Sequence, residues 1–126
     1  MDLRSPLARA RGLGSAKHGT QHFWLQRISA IVLVPLCFWF VTSMVAMVSV
    51  DYETVSVWLS TPLTAVLMIL FIIALFYHAQ LGLQVVIEDY VESEWQKLIN
   101  IILVKVVAFI GGLASIFAVM TVFLAA

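Results

Sequence analysis

The chain has 126 residues, 63% of them hydrophobic and 11% charged, with seven basic and seven acidic side chains that cancel at pH 7; its mean hydropathy is +1.05. That leaves too little polar surface to cover a water-soluble globule of this size, so the chain belongs in a bilayer. There is no basic excess to bind nucleic acid, and one cysteine, Cys37, excludes an intrachain disulfide.

In chain order, residues 1–27 read as a polar N-terminal tail carrying Arg4, Arg9, Arg11, Lys17 and Arg27. Its arginine-rich, acid-poor character imitates a transit peptide, but it runs directly into an apolar segment without a cleavage pattern and reads as retained. His18 reads as part of the solvated tail. Residues 28–126 form one membrane domain. A hydrocarbon core of about 30 Å takes roughly 20 helical residues, and 28–50 supplies a first span with no Asp, Glu, Lys, Arg or His. Pro35 inside it predicts a kink and not a break, because backbone groups in lipid must stay paired within the segment. A loop follows over 51–60. Ser60-Thr61-Pro62 is a helix-start signal, with proline in the first turn, and opens a second span over 63–87. A third covers 98–124. The fold class is therefore all-α, with three transmembrane helices.

Five of the seven basic residues precede the first span, the first loop has none, and Lys97 and Lys105 follow the second span. The positive-inside rule puts the N-terminus and second loop in the cytoplasm of a bacterium, or on the matrix side of a mitochondrial inner membrane. Trp24, Trp58 and Trp95 fall near three predicted interfaces, as an aromatic belt would place them. Lys105 is read as snorkelling to the nearby face. Ala108, Gly111, Gly112 and Ser115 read as a small-residue seam for another helix, Cys37 as apolar filler, and Glu92 with Glu94 as an acidic loop facing water or a docked hydrophilic protein.

His78 is the one His, Asp, Glu, Lys or Arg deep in the second span, and an imidazole is costly to place in hydrocarbon. Ala74 lies one turn before it, Gly82 one turn after and Val85 two turns after, so small residues flank it on its own face. Such a cleared strip would admit a planar macrocycle. Asp89 is eleven residues on, a rotation of about 1100° that returns to within roughly 20° of His78 and about 16 Å along the axis. The face thus carries a buried nitrogen ligand and, at the water boundary, a carboxylate beside the Tyr90 phenol. On the residues alone three readings of His78 stay open: a haem ligand, a proton or ion function, and a hydrogen bond to a neighbouring helix. Asp89 and Tyr90 likewise read either as site residues or as an interfacial anchor.

The run His78-Ala-Gln-Leu-Gly-Leu-Gln-Val-Val-Ile-Glu-Asp-Tyr-Val91 resembles the signature of the small hydrophobic membrane anchor of succinate dehydrogenase: a histidine, a glycine four residues on, then Asp-Tyr at eleven and twelve. His22-Phe-Trp-Leu-Gln-Arg27-Ile-Ser-Ala-Ile is similar to that family's approach to helix one, and three spans match the whole chain.

The resemblance implies half of a heterodimeric haem-binding helical bundle. His78 would be an axial ligand of haem b, with the second imidazole from the other membrane anchor, the cytochrome b subunit. Tyr90 and Asp89 would bind ubiquinone, the substrate, with Tyr90 donating to a carbonyl. Arg27 would face the haem propionates, and His22 would lie near the haem. With no dinucleotide-binding glycine pattern and too few cysteines for a cluster, flavin and iron–sulfur clusters belong to the flavoprotein and iron–sulfur subunits. The chain would be a non-flavin subunit of succinate:quinone oxidoreductase, not catalytic alone. Two other functions remain: a haem-free transporter or proton-conducting subunit, and a purely structural anchor.

Overall fold

The computed structural model describes residues 6–7 and 17–125, the side chains of residues 17–19 excepted. The expectations for Arg4, Arg9 and Arg11, and for the side chains of Lys17 and His18, lie outside the described residues. Among the described residues from Lys17 on, four helices follow in order: α1 Lys17–Ala46, α2 Tyr52–Ser60, α3 Pro62–Tyr90 and α4 Glu94–Ala125. Three of them, α1, α3 and α4, are long and apolar enough to cross a membrane.

The boundaries differ from the sequence expectation for physical reasons. Counting apolar residues locates the hydrocarbon stretch, whereas the helix runs on for as long as its backbone bonds are made. Accordingly α1 begins at Lys17 and not at 28, and passes uninterrupted through residue 27. It continues through Pro35, so the proline does not break it. It stops at Ala46, short of 50, where bonding tightens to three-residue turns: Val48 N–H to Val45 carbonyl and Val50 N–H to Met47 carbonyl. Pro62 opens α3 as predicted, but the helix carries on to Tyr90, and its last turn is closed by Val91 N–H donating to the Ile87 carbonyl at 3.0 Å. At its start α4 reaches back to Glu94.

The loop expected over 51–60 is a helix. Asp51 caps α2, its carboxylate accepting from Thr54 N–H at 3.0 Å and from the Thr54 hydroxyl. These bonds, the hydroxyl one first, hold the Asp51 carboxyl below its ordinary pKa.

At the centre stands α3, packed by α1 on one side and α4 on the other, while α1 and α4 make no close backbone approach to each other. Phe40 stacks on Phe71 with centroids 4.6 Å apart, and Ser29 meets His78, so α1 and α3 run antiparallel. Phe76 lies over Gly111 and Gly112, and the hydroxyl of Ser60, the last residue of α2 just before α3, donates to the Val122 carbonyl, so α3 and α4 do too. Gly111 and Gly112 of the expected small-residue seam therefore accept a ring from α3.

The packing is lopsided. The buried cluster of Leu36, Ala65, Met68, Phe71, Ile72 and Val119 sits toward α2, where Trp39 also stacks on Trp58 at 5.8 Å. Beyond His78, Leu81 is the one residue of α3 that is buried. Between helices already in lipid such packing stabilises by close contact more than by removal from water, so the end of the bundle at Tyr90 is the loosely held one.

Candidate functional site

His78 is half-buried on α3. Its Nδ1 lies 2.9 Å from the hydroxyl oxygen of Ser29 on α1, and that hydroxyl lies 2.9 Å from the Gln26 carbonyl. Among the described residues Nδ1 is the ring nitrogen with a partner, which leaves Nε2. The bond to a neighbouring helix, one of the readings open from the residues, is thus present, and it engages only one of the two ring nitrogens.

The two ends of the strip around His78 are unlike. Ala74 is buried at 9% exposure, whereas a Cβ on Gly82 would meet nothing within 4 Å. The face is covered by this chain above the imidazole and open below it. Asp89 and Tyr90 occupy the last turn of α3, and Tyr90 is 81% exposed. Because the helix is continuous from His78 to Tyr90, the eleven-residue offset keeps Asp89 on the His78 side, about 16 Å along the axis.

On α1, His22 lies two turns before Ser29 on the same face, and its Nε2 is buried without a hydrogen-bond partner among the described residues. Arg27 is not brought to that face. Two residues from Ser29, it points about 200° away, and its guanidinium lies 5.0 Å over the exposed Phe23 ring. Two hollows, of about 400 Å³ beside Trp39 and Trp58 and about 300 Å³ between Phe76 and Val107, include neither His78 nor Asp89 nor Tyr90.

This open face can be set beside known proteins. The family described as succinate dehydrogenase/fumarate reductase transmembrane subunit matches residues 1–112. The chain belongs to that family. It is 36% identical over 118 residues, 94% of each chain, to the succinate dehydrogenase hydrophobic membrane anchor subunit of Rickettsia bellii. It is 31% identical over 93 residues to the protein of the same description in Paracoccus denitrificans, covering 74% of this chain and 72% of the relative. A succinate dehydrogenase membrane anchor subunit of Reclinomonas americana is 32% identical over 95 residues, covering 73% and 79%.

As a succinate dehydrogenase membrane anchor subunit, the chain works with other subunits of that complex, in a membrane that it crosses with three helices. Two polar features of this anchor escaped the sequence reading. One is Ser29, a small residue that only the antiparallel placement of α1 and α3 sets opposite His78. The other is a ladder down α3, with Gln80 Nε2 donating to Gln84 Oε1 and Gln84 Nε2 to Glu88 Oε1, both at 3.1 Å. Its four-residue spacing was visible; the ladder satisfies side-chain amides that would otherwise be costly in lipid. Lys105 is exposed and lies eleven residues into α4, about three turns, because α4 starts earlier than the third span expected from 98.

Proposed function

We propose that this membrane anchor co-ligates haem b through His78 Nε2 and completes the site at which ubiquinone is reduced by electrons from succinate oxidation. The setting proposed is a bacterial inner membrane with a cytoplasmic N-terminus, following the tail's basic residues. The observation that carries the reading is the state of His78: Nδ1 is engaged by Ser29, Nε2 is left for a ligand, and the neighbouring Gly82 faces open space. A neutral imidazole held by one nitrogen and offering the other is what haem iron takes as an axial ligand. A second axial imidazole would come from the cytochrome b subunit, and the looseness of this end of the bundle leaves room for a partner chain.

When bound, the haem supplies a one-electron couple in the membrane interior. This chain's residues handle position and protons. Tyr90 donates its phenol hydrogen bond to a quinone carbonyl oxygen. Asp89 passes protons from the water boundary, since forming a quinol takes two of them with two electrons. His22 Nε2, which has no partner among the described residues, provides a donor toward the propionates, whereas Arg27, turned onto Phe23 on the other side of α1, reaches them only by reorienting its side chain. Flavin and iron–sulfur chemistry stays with the flavoprotein and iron–sulfur subunits, so the chain is not catalytic alone.

Dithionite-reduced minus oxidised spectra of the purified complex test this. His78→Ala is expected to abolish the b-type band; a band that persists unchanged overturns ligation by His78. The Ser29 bond taken alone favours a purely structural anchor, and a complex with quinone reductase activity but no haem band at all would decide for it.

A further inference from the structure

We infer that Ser29 is a positioning residue for the ligand imidazole: its hydroxyl oxygen accepts the His78 Nδ1–H and holds the tautomer in which Nε2 offers its lone pair. The inference rests on the haem-ligation reading above.

A hydroxyl has one proton and two lone pairs. Ser29 Oγ is 2.9 Å from both the Gln26 carbonyl oxygen and His78 Nδ1. The carbonyl can only accept, so the hydroxyl proton goes there and a lone pair faces Nδ1. The reverse arrangement would put the ring proton on Nε2, at membrane depth with no acceptor among the described residues, at the cost of an unmade hydrogen bond. Ser29 is only 8% exposed, so water does not compete for the contact. Its bond to the carbonyl one turn back fixes the hydroxyl, and the hydroxyl in turn fixes the ring against a helix 49 residues away in sequence. An acceptor on Nδ1–H makes the ligand nitrogen more basic. A more basic nitrogen stabilises ferric over ferrous iron, which holds the midpoint potential down.

The experiment is a redox titration of the b-type band, with haem content per complex, in assembled complexes carrying Ser29→Ala, Ser29→Val or Ser29→Thr. Ser29→Ala and Ser29→Val should raise the midpoint potential and weaken haem retention by about tenfold. Ser29→Thr keeps the hydroxyl and should match the parent in both. Threonine and valine have the same shape, so their difference reads the hydroxyl alone even where alanine disturbs assembly. Equal potentials and haem contents in the threonine and valine variants overturn the inference. A His78→Ala control separates the two claims. If its band is lost while threonine and valine agree, only the role of Ser29 falls; if its band survives, ligation falls and this inference with it.

Discussion

Tyr90 projects from the last turn of α3 with four-fifths of its surface exposed, and Asp89 beside it is exposed as well. A phenol so placed loses little packing when its hydroxyl is removed. Tyr90→Phe should therefore leave assembly and succinate oxidation by an artificial acceptor intact. Quinone reduction should fall about five- to tenfold, the worth of one hydrogen bond of about 1 to 1.5 kcal/mol. Equal loss of both activities, measured side by side, would count against a quinone role. That His78, Gly82 and Asp89 share one side of α3 could be read from the sequence because helical spacing alone sets it, with Tyr90, one residue on, turned about 120° from His78. Ser29 could not, since which residue of α1 comes opposite His78 depends on how two helices cross. The direction of Arg27 depends on where α1 begins to pack, and the positive-inside reading of it carried no information about face.

At the level of elements, α2 is the clearest departure from expectation. Its nine residues are too few to read as a span, and apolarity alone assigned them to a loop, yet Asp51 followed by Thr54 is a capping signal in plain view. Asp51→Ala should speed amide hydrogen exchange through Thr54–Ser60 relative to α3, while Asp51→Asn, which keeps an acceptor oxygen, should retain most of the protection. The carboxyl's pKa is lowered in the folded chain, so the cap is fully present above the ordinary carboxylate range. It is lost as pH falls through the lowered value. Exchange in α2 should thus quicken only in acid, and a cap lost on raising the pH would contradict the assignment. The long helices themselves were legible because each needs an unbroken apolar run. Their ends were not, because a helix outlasts the hydrocarbon it crosses.

Across the whole molecule, two glycines report opposite surroundings. A Cβ on Gly111 would lie 2.8 Å from Phe76 Cε1, whereas one on Gly82 would touch nothing. Gly111→Val should destabilise the chain by about 1–3 kcal/mol through overpacking, measured as unfolding of the purified protein in mild detergent. Gly82→Leu should leave that unfolding unchanged and instead deplete haem from the assembled complex. A complex that accepts leucine at position 82 with full haem content would mean that this face looks onto lipid. The number of spans could be read from composition; the uneven packing, tight near α2 and slack near Tyr90, could not, because it depends on where Phe71, Phe76 and Val119 meet.

That α1 makes no close approach to α4, and beyond the Trp39–Trp58 stack leans on α3, bears on how the chain is made. As the ribosome delivers it, α1 enters the bilayer with no sister span to lean on, and the Ser29 hydroxyl has only its own backbone to bind until α3 emerges. The first durable hold on the leading helix therefore comes late in synthesis, and a chain cut short before α3 would leave a solitary span for quality-control proteases to extract.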